Sequence, residues 1–195
     1  MKIIFLDIDD TLITRRSATA KGWFSRKEGL EYSDLVDPMT VEMLNRLMEI
    51  DPATKVVINS AWTVSHGRDE VMSMLRKGGF EGEFHEDWGT PYRNFRGDRI
   101  DQWMAKNPGV ASYVILDDSC NYYFDQPFVC IEGLNGMMVQ EFYKAAEYLY
   151  GDKSPWRKDL EHYLKYHPSE HPPGHPRRSD GRHRSQQKVA GSNPT

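Results

Sequence analysis

Ile3-Ile4-Phe5-Leu6-Asp7-Ile8-Asp9-Asp10-Thr11-Leu12 decides how the rest of the chain is read. Residues 3–6 are continuously apolar and the run stops at an acid. So short and uniform a run suits a strand buried on both faces, as in a parallel sheet. Working outward, residues 55–58, apolar from Val56, are a second buried-strand candidate, and residues 113–116 a third that again ends in acid, at Asp117-Asp118. Residues 128–131 make a fourth, and 83–85 a short strand candidate. Between them apolar residues recur at helical spacing. Val41, Leu44, Leu47 and Met48 do so within 40–50, with Thr40 as the expected N-cap. Val71, Met72, Met74 and Leu75 do so within 69–77, before Gly78-Gly79 stops the helix. Ile100, Trp103 and Met104 mark a helix over 97–105, and another spans 139–150. Strands alternating with helices predict an α/β fold with a Rossmann-like, doubly wound, mostly parallel sheet. Ligands of such sheets sit beyond the carboxyl ends of the strands, where Asp7, Ser60 and Asp117 all fall.

A chain of 195 residues suits one domain, here residues 1–150. Charge divides at the same place. Residues 1–150 carry 16 Lys and Arg against 24 Asp and Glu; residues 151–195 carry 9 against 5. An acidic body argues against a broad duplex-binding face, which needs clustered Lys and Arg. A C-terminal helix is expected over 151–166. Residues 167–195 are proline-rich, hold four of the seven histidines, and read as a disordered, solvated tail. Cys120 and Cys130 suggest no disulfide framework and read as two buried thiols. No apolar run approaches the ~18 residues of a membrane span, and acids follow the first apolar run too early for a signal peptide. The expectation is a cytoplasmic protein, with no membrane contact and no obligate protein partner.

If a strand ends at Asp7, the chain turns at once, and acids two apart can point into one pocket. Two carboxylates there divide the labour of attack and proton transfer. Their mutual repulsion calls for a cation, and Mg²⁺, a hard ion that prefers oxygen ligands, is the natural one. Phe5-Leu6-Asp7-Ile8-Asp9-Asp10-Thr11-Leu12 resembles the first motif of the haloacid dehalogenase (HAD) superfamily. That resemblance implies a bound Mg²⁺ and an aspartyl-phosphate intermediate, with Asp7 as nucleophile and Asp9 as general acid and base. Glycine often stands in the family where this chain has Asp10. Val56-Val57-Ile58-Asn59-Ser60 resembles the second motif, in which the Ser60 hydroxyl, with Thr11 of the first, binds phosphate. Leu116-Asp117-Asp118 resembles the fourth, which makes Asp7, Asp9, Asp117 and Asp118 the candidate metal ligands. The third motif is a single cation that offsets negative charge; Arg96 is the first choice, with Arg99 and Arg93 as rivals.

Further landmarks fall in one order: Ser60-Ala61-Trp62, Trp88-Gly89-Thr90-Pro91, Arg96-Gly97 with Ile100 and Trp103, Asp117-Asp118, then Gly133-Leu134 before a helix. This order resembles small HAD domains related to those of multi-domain RNA-repair proteins. Asn59 and Thr63 depart from it where Ser and Arg are more usual, and Arg99 where an acid is. About 44 residues separate Thr11 from Val56, too few for a full cap domain. Residues 15–37, with Trp23, Phe24 and Tyr32, are expected to form a minimal cap or flap. An open site is compatible with a phosphorylated small molecule or a nucleic-acid end. Trp23, Phe24, Trp62 and Trp88 are candidates either for base stacking or for plain packing. No GxxxxGK[ST] loop occurs in the sequence, so a nucleotide-driven kinase step of that type is not among the expectations.

Overall fold

The computed structural model describes residues 1–166. Five parallel strands form one sheet: β1 Lys2–Leu6, β2 Thr54–Ile58, β3 Glu83–Gly89, β4 Ser112–Asp117 and β5 Phe128–Cys130, in the order β3-β2-β1-β4-β5. The expected doubly wound α/β sheet is therefore present. β1 lies at its centre, and Ile3, Ile4, Phe5 and Leu6 are all fully buried. Each contributes roughly 1.5–3 kcal/mol by leaving water.

Alternate side chains of β1 enter different cores. Ile4 and Leu6 join Val56, Ile58, Val114 and Leu116 on one face. That face is covered by α3 Pro38–Met48, α5 Arg68–Lys77 and α7 Val139–Tyr150 through Leu44, Leu47, Leu75, Phe142 and Leu149. Ile3, Phe5, Val57 and Ile115 face the other way, onto Ile100 and Trp103 of α6 Arg96–Lys106. Trp103 meets Phe5 edge-on, with ring centroids 5.2 Å apart. The C-terminal helix, Arg157–Tyr166, is present and packs on α7; Trp156 just before it meets Phe142 with centroids 4.6 Å apart. The expectation of a disordered 167–195 lies outside the described residues. Among these, no helix is long and apolar enough to cross a membrane.

Two expectations are corrected. The N-cap of α3 is Asp37, whose carboxylate accepts from the backbone N–H groups of Met39 and Thr40, both at 3.1 Å. Thr40 is taken up elsewhere: its hydroxyl accepts from Met137 N at 3.2 Å. Beside it Gly136 (φ 75°) has no room for a side chain, since a Cβ would stand 2.2 Å from Thr40 Oγ1. The cysteines are not both buried. Cys120 is exposed in the loop after β4 and Cys130 is half-buried on edge strand β5, with the two Sγ atoms 3.5 Å apart.

The flap is built from α1 Arg15–Lys21, a 3₁₀ turn at Trp23–Ser25 and α2 Tyr32–Leu35. Asp37 ties its root to the body. The buried carboxylate accepts from Thr14 Oγ1 at 2.8 Å and takes a forked pair of hydrogen bonds from Arg16, 2.9 and 3.0 Å from Nη2. Lys77 of α5 pairs with Glu31 at 2.8 Å and holds the far side.

Candidate active site

A parallel sheet gathers its strand ends on one edge, and this strand order changes direction at β1, between β2 and β4. Asp7 directly follows β1, Asp117 ends β4, and Ser60 follows β2 by two residues. Backbone bonds draw these ends together: Asp7 N donates to Leu116 O at 3.0 Å and Asn59 N to Leu6 O at 2.8 Å. This is the switch point at which sheets of this type bind ligands.

After β1 the chain turns tightly, with the N–H groups of Leu12 and Ile13 both bonding to Ile8 O at 2.8 and 2.9 Å. Asp10 takes the left-handed conformation, φ 54°, that the turn requires. Aspartate tolerates this better than most residues, and glycine would suit it at least as well.

Asp7, Asp117 and Asp118 converge, each offering a carboxylate oxygen within 4.8 Å of the others'. Asp7 and Asp117 are buried and Asp118 half-buried. Burial, and then the charge of Asp117, push Asp7 well above the usual carboxylate range; Arg96 and a hydrogen bond from Ser60 pull it back in part. Burial likewise raises Asp117, against the charge of Arg96 and a hydrogen bond from Tyr122. Asp118 is raised by burial and by Asp10. Acids crowded and dried in this way favour protonation unless a cation joins them. Asp7 Oδ1 and Thr11 Oγ1 are buried without a hydrogen-bond partner, so an acceptor and a hydroxyl are left for a ligand. An all-oxygen donor set of this kind fits Mg²⁺.

Of the three rival arginines, Arg96 is the one at the cluster. Its Nη1 is 3.3 Å from Asp7 Oδ1, near enough for an ion pair though not aligned for a hydrogen bond, and it bonds to Asp117 Oδ2. Burial lowers the affinity of Arg96 for its proton, but Asp7 and Asp117 outweigh that and hold it above the ordinary arginine value. Arg99 turns away: its Nε donates to Arg93 O at 2.7 Å and its guanidinium lies 4.8 Å over the Tyr92 ring. Arg93 bonds to Gln102 at 3.0 Å. Arg96 opens α6, and Gly97 lets that helix approach the loop before β5. A Cβ there would meet Phe95, Gln126 and Tyr123 at 2.6 to 2.9 Å.

The side chain of Asp9 is not brought into the acid cluster. It is exposed, and its Oδ2 accepts from Trp62 Nε1 at 2.9 Å. Ser60 is buried beside Asp7, and its hydroxyl favours the ionised form of that carboxyl.

Several residues here escape a reading of the sequence. Tyr122, fully buried, donates its hydroxyl proton to Asp117 and accepts from Asn59 Nδ2 at 2.6 Å. Asn59 Oδ1 in turn accepts from Thr90 Oγ1 at 2.7 Å. Tyr122 lies in an irregular loop with no periodicity to flag it. Thr90 arrives through a register shift in the pairing of β2 with β3, between Val56 and Ile58. Only the strand-end position of Asn59 was a usable signal. A groove of about 260 Å³, lined by Asn45, Met48, Thr54 and Glu83, lies at the beginnings of β2 and β3, away from these acids.

An α/β sheet tipped with buried carboxylates and one arginine at its switch point defines a HAD-like domain. Residues 3–142 match the family described as the HAD domain in Swiss Army Knife RNA repair proteins, and the chain belongs to that family. No curated protein and no solved structure matches it.

Proposed function

We propose that the protein is a Mg²⁺-dependent phosphomonoesterase that works through a phosphoryl group carried on Asp7, and that its substrate is a nucleotide or polynucleotide end. The observation that carries this reading is the convergence of Asp7, Asp117 and Asp118 beside Arg96. Mg²⁺ held by these acids would let them stay ionised together and would draw charge from the phosphoryl oxygens. The residues divide the remaining work. An Asp7 oxygen forms the new bond to phosphorus as the ester P–O bond breaks, and the leaving oxygen takes its proton from Asp9. Water then gives a proton to Asp9 and attacks phosphorus, and the Asp7–phosphorus bond breaks. Arg96 balances the charge that gathers on Asp7 and the phosphoryl group. The Ser60 and Thr11 hydroxyls donate to phosphoryl oxygens.

Two features support the substrate class. The family is one of RNA-repair domains, and residues 15–37, which reach the sheet edge where Tyr32 meets Trp62, make only short helical turns. Trp23 and Tyr32 stand partly exposed beside that edge, ring centroids 5.6 Å apart. The test is phosphate release, in Mg²⁺ and in EDTA, from nucleoside 3′- and 5′-monophosphates, a 3′-phosphorylated oligonucleotide and sugar phosphates. Metal-dependent release that is fastest from the oligonucleotide supports the proposal. Preference for a sugar phosphate moves the substrate to small metabolites. No release by folded protein favours a catalytically silent binding module.

A further inference from the structure

Asp9 Oδ2 is engaged by the Trp62 indole N–H at 2.9 Å. An indole nitrogen only donates, so that oxygen is held as an acceptor. The ring that holds it is itself fixed. Trp62 is 5% exposed, stacks on His66 at 4.2 Å with planes 19° apart, and is met edge-on by Tyr32 of the flap at 4.9 Å. It opens α4 Trp62–Ser65, two residues beyond Ser60. One short segment therefore places the buried Ser60 near Asp7 and a donor on Asp9.

We infer that Trp62 is a positioning residue for the acid–base carboxylate: it occupies Oδ2 and leaves Oδ1 to carry the proton that moves. This inference rests on the phosphatase reading above. In the first step the proton on Asp9 Oδ1 passes to the leaving oxygen as the P–O bond breaks. In the second the same oxygen takes a proton from the attacking water. A carboxyl free to rotate would present the wrong oxygen for part of the time, and the loss would grow with the basicity of the leaving oxygen.

Trp62→Phe keeps a ring and removes the donor. Its kcat/KM, which reports the step in which the leaving oxygen departs, is to be compared with that of the unaltered protein on p-nitrophenyl phosphate, whose leaving oxygen needs little help from a proton, and on a nucleoside 3′-monophosphate, whose alkoxide needs it. General acid catalysis contributes about 10²–10⁴-fold. Loss of its orientation should cost the nucleoside ester roughly 10-fold more than the aryl ester. Equal losses on both, with the unaltered protein active, would overturn the inference and leave the phosphatase reading standing. No Mg²⁺-dependent turnover by the unaltered protein would overturn both. A second measurement needs no change at Trp62, should Trp62→Phe fold poorly. The indole N–H proton resonance of Trp62 should move upfield in Asp9→Ala, and an unmoved resonance would also overturn the inference.

Discussion

Arg96 Nη1 sits 3.3 Å from Asp7 Oδ1 while bonding to Asp117, so one cation is shared by the acids at the ends of two adjacent strands. In the proposed chemistry an arginine in this place offsets charge on Asp7 before and during transfer. Arg96→Ala should lower kcat by about 10²-fold or more. Arg99→Ala, whose guanidinium is turned to Arg93 and Tyr92, should cost far less. A reversed order in steady-state assays would move the charge-balancing role to Arg99.

The pH dependence of stability follows from the raised acids. Asp7 and Asp117 hold protons more tightly folded than unfolded. Without metal, their contribution is fully present below the ordinary carboxylate range and is lost as pH rises through the raised values. In EDTA the melting temperature should therefore fall as pH rises from about 5 toward 8. Mg²⁺ binding displaces those protons, so its stabilising effect should grow over the same interval. Thermal melts with and without Mg²⁺ across that range are the check, and a Mg²⁺ effect that shrinks with pH would contradict the account.

Tyr122 supports the site from behind. Tyr122→Phe removes the donor to Asp117 and leaves Asn59 Nδ2 without its acceptor, both in the buried interior. The expected costs are about 1–3 kcal/mol of stability and roughly 10-fold in Mg²⁺ affinity. Denaturant titration and calorimetric Mg²⁺ titration measure the two separately.

Gly97 has no room for a methyl group. In Gly97→Ala the new Cβ would press on Phe95, Gln126 and Tyr123, and Gln126 is held by its bonds to Gly97 O and Asp101, at 2.9 and 3.0 Å. Overpacking of this sort costs about 1–3 kcal/mol. Because the strain falls next to Arg96, kcat should drop along with the midpoint of denaturation.

The central strands were legible because each holds a short apolar run that ends at a polar residue, and burial on both faces demands such a run. β3 was legible only in its first residues. As an edge strand it carries Glu86 and Asp87 in its outer half, and no apolar pattern reaches Gly89. The helices were found by spacing, whereas the cap of α3 was misplaced from Asp37 to Thr40, because local sequence cannot tell that the Thr40 hydroxyl is bound to Met137. In the site, Asp7, Ser60 and Asp117 announce themselves at strand ends. The Tyr122 and Trp62 contacts join residues 5 and 53 positions apart, and such pairings depend on how loops fold over the sheet edge.

The most direct test of the proposed chemistry is release of inorganic phosphate from a 3′-phosphorylated oligonucleotide by the unaltered protein and by Asp7→Asn, each in Mg²⁺ and in EDTA. Asp7→Asn removes the proposed nucleophile and puts a neutral amide of like shape where burial already favours the neutral carboxyl, so the variant should remain folded. The account predicts release by the unaltered protein in Mg²⁺ alone and none by the variant under either condition. Undiminished release by Asp7→Asn, or release that persists in EDTA, would contradict it.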